Sequence, residues 1–203
     1  MLTATRHSDR GFTLVEMMFV VALLGIVLGV VFGAVQVLTT SASTSMEESA
    51  SAHDLSYSME LLSKALMAGT KVLYADDYRL EMVTQKTAIL YERQSIYATS
   101  TSTSTPGATR GSLVWTRWSS DDSGTVTPGA TPTFNWVVSD RNLNSVTPKV
   151  PLFAYYDSSN TTMTATAGVY AADQVKRIHL HVLVAFNAGV RDDSRDVVPP
   201  MLP

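Results

Sequence analysis

The strongest constraint on this chain is an uninterrupted apolar run at residues 17–35, near its N-terminus. None of these nineteen residues has a polar side chain. At about 1.5 Å per residue, a helix of this length spans close to 30 Å, the thickness of the hydrocarbon core of a bilayer. Arg6 and Arg10 precede the run, opposed only by Asp9. Because positive flanking charge stays on the cytoplasmic side, the sequence predicts a single-pass membrane protein with a cytoplasmic N-terminus and its remainder outside.

Glu16 stands directly before this run, and simple export signals do not account for it. A secretory signal peptide has a shorter apolar core of about 7–15 residues, although residues 40–42 offer a poor cleavage site. A plain membrane anchor needs no carboxylate. A carboxylate at the edge of a membrane helix generally has a partner and a function.

The segment GFTLVE at residues 11–16 resembles the cleavage and methylation signature of type IV prepilins and type II secretion pseudopilins. The resemblance implies that a prepilin peptidase cuts between Gly11 and Phe12 on the cytoplasmic side and methylates the new N-terminus at Phe12. Glu16 then takes the position where the family carries its glutamate. In a filament, Glu16 of one subunit can lie near the Phe12 amine of a neighbour, so that each charge offsets the desolvation cost of the other.

Small residues recur along the apolar run at intervals of four. Gly25, Gly29 and Gly33 share one helix face, and this spacing lets helices approach closely in lipid. Many major pilins have a proline where this chain has Gly33, which departs from the family pattern. Because glycine permits local melting of a helix, Gly33 could take the place of that proline. From their shared face, we predict that the three glycines pack against another helix.

The helical pattern continues beyond the apolar run. Residues 39–45, TTSASTS, have poor helix propensity and could form a flexible neck, but we expect one long helix over about 12–68 that is bent near this run. An apolar stripe then follows helical spacing, and Gly69 is a suitable stop. We expect a cytoplasmic leader at 1–11, a transmembrane and assembly helix at 12–38, its continuation onto the head at 39–68, and a globular head at 69–203. The stripe comprises Leu55, Met59, Leu62 and Leu66.

The remainder of the chain has the pattern of β-strands. A hairpin turning at Gln85-Lys86 is expected between strands at 78–84 and 87–94, and the tail at 197–203, which has three prolines, should not extend a sheet. A long helix followed by strands predicts an α+β fold, with an antiparallel sheet packed on the second half of the helix. The last strand resembles the terminal strand of J-type minor pseudopilins and W-type minor pilins. The further strands are expected at 113–118, 134–138, 152–156 and 175–186.

The head offers several candidates for chemistry but no catalytic constellation. The chain lacks cysteine, which excludes disulfides and thiolate sites. His179 and His181 share a strand face and supply two ligands of a metal site that would need a third. The turn at 121–124, DDSG, is rich in oxygen ligands but lacks the spacing of an EF-hand. We therefore predict no metal, no cofactor and no enzymatic activity.

Aromatic and basic residues are the candidates for binding. Trp115, Trp118, Tyr155 and Tyr156 could stack on sugars or bases. The arginines at 110, 117 and 141 are scattered, and the formal net charge is −3. Neither feature argues for nucleic acid.

The sequence as a whole predicts a minor pilin or pseudopilin. Its expected partners are the prepilin peptidase and methyltransferase, other pilins or pseudopilins, an inner-membrane assembly platform and the lipid bilayer. It would leave the membrane for an extracellular or periplasmic filament and prime or enter a type IV pilus or a type II secretion pseudopilus. The alternative is a membrane-anchored surface module whose head binds sugar, DNA or protein.

Overall fold

The computed structural model describes residues 13–100, 110–146, 149–186 and 189–200. Within these ranges the chain has one α-helix, eight β-strands and a short 3₁₀ helix. It forms two compact units, Met1–Met46 and Glu47–Pro203. The helix α1, Leu14–Met67, contributes its first part to one unit and its last part to the other.

The serine and threonine run at residues 39–45 is helical, so the expected single long helix is confirmed and the optional flexible neck at this run is not formed. Side-chain hydroxyls donate hydrogen bonds to carbonyls of the preceding turn, such as Thr39 Oγ1 to the Val35 oxygen at 2.9 Å and Thr40 Oγ1 to the Gln36 oxygen at 2.9 Å. This back-bonding satisfies the hydroxyls without leaving the helix. The run therefore continues the helix with these hydroxyls satisfied, in spite of its poor intrinsic propensity.

The second unit is an antiparallel, curled sheet that packs on the end of α1, and it confirms the α+β class. Each strand pairs with its sequence neighbour from β1 to β5, and β7 then pairs with β5, β6 and β8. The 3₁₀ helix, Ala172–Gln174, precedes β7. The strands are β1 Gly69–Ala75, β2 Arg79–Thr87, β3 Leu90–Ala98, β4 Gly111–Ser120, β5 Phe134–Asn142, β6 Phe153–Tyr156, β7 Arg177–Phe186 and β8 Gly189–Val197.

The core lies between the last turns of α1 and the concave face of the sheet. The stripe predicted from helical spacing is buried, with Met59, Leu62 and Leu66 each at 0% exposure. Alternate residues of β7 meet it from the sheet, as their period of two predicts. They are Ile178, Leu180, Val182 and Val184.

Sequence patterns located six strands and missed two. The β2–β3 hairpin turns at Ala88-Ile89, so the prediction of a turn at Gln85-Lys86 was wrong by three residues. Strand β1 was not predicted, because β-bulges in its pairing with β2 break the alternation of its side chains. Strand β8 was not predicted, because its exposed residues are mostly charged and have low β propensity.

Asn144 joins the strands where β7 changes partners. The β6 pairing reaches Leu180 and the β5 pairing begins at Val184. Between them, Asn144 Nδ2 donates to the His181 carbonyl oxygen at 2.7 Å, and Asn144 Oδ1 accepts from the Leu183 amide at 2.9 Å. The buried amide side chain therefore supplies the ladder hydrogen bonds that neither strand provides at this point.

The acidic pair Asp76-Asp77 forms the corner between β1 and β2. Asp76 Oδ1 accepts hydrogen bonds from two backbone amides of the turn, at 2.7 and 2.6 Å. The buried phenol of Tyr155 donates to the Asp76 carbonyl oxygen at 2.9 Å, and Tyr170 donates to Asp77 Oδ1 at 2.7 Å. Both tyrosines come from the segment between β5 and β7, so the corner ties the first strands to the last part of the sheet.

Candidate functional site

The N-terminal site begins with residues that the structure does not describe. Gly11 and Phe12, predicted as the cleavage pair, lie outside the described residues, as does the leader at 1–11. The described part begins at Thr13 and includes Glu16, the predicted assembly residue. Its geometry concerns the first turn of α1.

Thr13 and Glu16 form a capping box at the start of the helix. The Thr13 backbone amide and its hydroxyl both donate to Glu16 Oε2, each at 3.0 Å. In return, the Glu16 amide donates to Thr13 Oγ1 at 3.3 Å. Two amides that the first turn leaves without helical partners are thus satisfied reciprocally.

This cap gives Glu16 a role that the family resemblance did not supply. A threonine followed three residues later by glutamate, directly before an apolar run, is the sequence signal of a capping box. That signal was present in the sequence, and the interpretation of Glu16 as an intersubunit residue left it unused. The carboxylate therefore has a partner within its own chain.

The apolar helix after this cap is exposed along its length in the isolated chain. α1 is long and apolar enough to cross a membrane, and none of its most apolar window is buried. A Cβ placed at Gly25, Gly29 or Gly33 would meet nothing within 4 Å. The shared face of these glycines is therefore open, and its packing against another helix stays a prediction.

Comparison with known protein families finds one sequence signature in the N-terminal part of the chain. The family described as the prokaryotic N-terminal methylation motif matches residues 6–32. The chain carries the signature of type IV pilins and pseudopilins. No curated protein and no solved structure matches the chain. This signature before an apolar helix is typical of membrane-anchored subunits of pilin type, which prepilin peptidase processes and which assemble with other pilins.

The two strand histidines pair with carboxylates of the neighbouring strand. His179 Nδ1 lies 2.9 Å from Asp196 Oδ1, and His181 Nε2 lies 3.3 Å from Asp192 Oδ2. Among the described residues, no group of three or more histidine, aspartate or glutamate side chains is placed to hold a metal. The histidines connect β7 to the charged strand β8 and account for part of its attachment.

The turn at residues 121–124 is closed by its own side chain. Asp121 Oδ1 accepts from the Ser123 hydroxyl at 2.7 Å and from the Thr125 amide at 2.7 Å. These two hydrogen bonds, that of Ser123 first, lower the pKa of Asp121. The carboxylate thus stabilises a surface turn.

The aromatic and basic candidates are buried or half-buried, and most of them contact neighbouring side chains. Tyr155 is fully buried, so it is not available to a ligand. Tyr156 is covered by Arg177, whose guanidinium carbon lies 3.8 Å from the ring centroid. Arg117 and Arg141 are paired with carboxylates of Glu92 and Glu47, at 3.3 and 3.6 Å. Trp115 is half-buried beside further aromatic rings that sequence patterns did not bring together.

Proposed function

We propose that this protein is a minor pilin or pseudopilin, cut between Gly11 and Phe12, methylated on Phe12 and incorporated into a type IV pilus or type II secretion pseudopilus. The observation that carries the proposal is the methylation signature at residues 6–32, followed by an exposed apolar helix. The cytoplasmic N-terminus, the external head and the assembly platform as a partner are parts of the same proposal. The resemblance of the last long strand to J-type and W-type subunits supports a minor role in priming assembly.

In this proposal Glu16 changes partners during assembly. In the isolated chain its carboxylate caps the helix through Thr13. Cleavage would create a charged amine at Phe12, and in a filament the neighbour's amine would give Glu16 an ionic partner. Removing one member of a buried ion pair costs roughly 3–5 kcal/mol, because the other charge is left uncompensated. The charge of Glu16 would therefore set the axial register of subunits.

The experiment begins with the N-terminal mass of the protein isolated from membranes of its native cells. We expect a chain that begins at methylated Phe12. A chain beginning at Met1, or after Ala42, would contradict processing by prepilin peptidase.

Glu16→Gln then separates the charge from the cap, because the amide oxygen of glutamine can still accept the hydrogen bonds of Thr13. We expect the variant to be cleaved after Gly11 and held in the membrane, yet to be absent from sheared filaments or pseudopili. Thr13→Ser, which keeps both the cap hydroxyl and the charge, is the matched control and should assemble. Normal incorporation of Glu16→Gln would exclude the charge as the assembly determinant.

A further inference from the structure

Four aromatic side chains and one arginine form a continuous, partly exposed surface on the head, here named the aromatic strip. The ring centroids of Tyr57 and Trp136 lie 5.8 Å apart, those of Trp136 and Phe134 lie 5.9 Å apart, and those of Phe134 and Trp115 lie 5.3 Å apart. Tyr57 is 38% exposed and Trp136 is 40% exposed. Arg117 completes the strip, with its guanidinium carbon 4.3 Å from the Phe134 centroid.

The strip continues the face of the sheet that α1 covers. Trp115 stands two residues after the core residue Leu113 on β4, so the two side chains share a face. Trp136 is the strand partner of Trp115 on β5. Tyr57 reaches the strip from α1 itself. The sheet therefore presents an apolar surface beside the helix that already occupies this face.

The charges at the flanks of the strip are internally compensated. Arg117 pairs with Glu92 at 3.3 Å, and Lys64 pairs with Glu60 at 2.6 Å. A cleft of about 180 Å³ runs between the end of α1 and the sheet, beside Trp115. Because the charges of Arg117 and Lys64 are already paired, a neutral apolar partner fits beside them without leaving either of these ions unpaired.

The composition of the strip is that of a protein-binding surface. Tryptophan, tyrosine and arginine are the residues that dominate binding energy where proteins meet. This sheet face already binds the apolar surface of a helix, because the apolar stripe of α1 is buried against it. The chain also shows a helix of matching chemistry, since the side chains of residues 14–38 are exposed and almost entirely apolar.

We propose that the aromatic strip receives the apolar helix of a neighbouring subunit that carries the same type of signature. The proposal rests on the proposed function and names the surface through which the head takes part in assembly. A strip on one subunit and a helix on the next make a heterologous contact, which propagates along a filament instead of closing on itself. Trp136 and Tyr57, the most exposed rings, are the anchors of this contact.

The test is site-specific photo-crosslinking in the full chain, expressed in its native cells. Trp136→p-benzoylphenylalanine keeps an aromatic side chain on the strip. Ile89→p-benzoylphenylalanine is the matched control, because Ile89 is an apolar residue at 89% exposure on the β2–β3 turn. We expect the probe at position 136 to label the apolar helix of a signature-bearing subunit, at a yield about tenfold or more above position 89.

Labelling of lipid alone, labelling of another protein's head, equal yields at both positions, or no product would each overturn the proposal. The same samples separate this inference from the function on which it rests. A chain that begins at Phe12 and enters filaments but gives no helix adduct at position 136 refutes only the strip. A chain that is not processed refutes the proposed function.

Trp136→Ala provides a second readout that does not depend on the probe. Because Trp136 is only 40% exposed and packs against Tyr57 and Phe134, we expect the unfolding midpoint of the head to fall modestly with the head still folded, whereas recovery in sheared filaments falls about tenfold. An unchanged recovery would contradict the role of Trp136 as an anchor.

Discussion

At the scale of single residues, Asn144 shows how one side chain can replace a stretch of backbone. It is completely buried, and its amide group satisfies a carbonyl and an amide of β7 that lie between two pairing partners. A further hydrogen bond from Asn142 Nδ2 to Asn144 Oδ1, at 2.9 Å, fixes its orientation. A junction of this kind depends on the side chain in both its donor and its acceptor roles.

Asn144→Ala should therefore destabilise the head strongly. It leaves the His181 carbonyl and the Leu183 amide without partners, at about 1–3 kcal/mol for each buried group. Urea unfolding followed by tryptophan fluorescence measures this loss, since all three tryptophans lie in the head. Asn135→Ala, at an exposed position of β5, is the control and should change stability by less than about 0.5 kcal/mol. Equal midpoints for the two variants would refute the junction.

Glu16 shows what a sequence can and cannot supply at the residue scale. Its position within the methylation signature is visible in the sequence, and so is the threonine three residues before it. The junction made by Asn144 was not predictable in the same way, because its partners in β7 follow it by 37 and 39 residues. No local pattern indicates which asparagine will be buried at a change of strand partners.

At the scale of elements, the turn after β4 covers a second apolar surface of the sheet. Val83 is buried, although it is not part of the core beneath α1. Gly124 lies over it at a φ of +86°, and an added Cβ would be 2.5 Å from Leu73 Cδ1 and 2.8 Å from Val83 Cγ2. The turn can approach the strands this closely only because the residue is glycine.

Gly124→Ala should cost more stability than Gly129→Ala. Gly129 also has a positive φ, of +79°, but an added Cβ there would meet nothing within 4 Å. Gly129→Ala thus reports the backbone strain alone, roughly 1–2 kcal/mol. Gly124→Ala adds the clash with Leu73 and Val83. Unfolding midpoints of both variants check the order, and equal losses would show that the turn moves away from the sheet.

Strands were predicted correctly where apolar and polar residues alternate, and they were missed where pairing with neighbouring strands determines the conformation. Strand β7 alternates polar and apolar residues from Arg177 to Val182 and buried and half-buried residues as far as Val184, and its limits were nearly correct. Strand β8 is held by the ladder to β7 and by pairs such as Arg177 with Asp196 at 3.0 Å and Arg191 with Glu48 at 2.5 Å. Its residues do not favour a strand by themselves, so only the tertiary context determines it.

At the scale of the whole molecule, the tyrosine contacts to the Asp76-Asp77 corner close the head. Burial, reinforced by the hydrogen bond to Asp77, raises the pKa of Tyr170 from its ordinary 10.0 to about 12. Burial also raises the pKa of Tyr155. The neutral phenols are thus the forms that the folded head favours.

Tyr170→Phe should change the stability of the head at alkaline pH. A phenol whose pKa is higher in the folded state contributes stability fully below about pH 10 and loses it as the pH rises through about 12. At pH 8 the variant should be less stable than the wild type, because phenylalanine lacks the hydroxyl that donates to Asp77. Its further decline between pH 10 and 12 should be shallower. Urea midpoints across this range, with Tyr91→Phe as the control, make the comparison, and parallel declines would contradict it.

The corner also determines when the head can form. Tyr155 and Tyr170 reach partners 79 and 93 positions earlier in the chain, and contacts of such long separation form late in folding. Translation completes the apolar helix more than a hundred residues before it produces Tyr170. We therefore expect the N-terminal segment to be available for insertion into a membrane before the head can close. On this order of synthesis, the head would close on a chain that is already anchored.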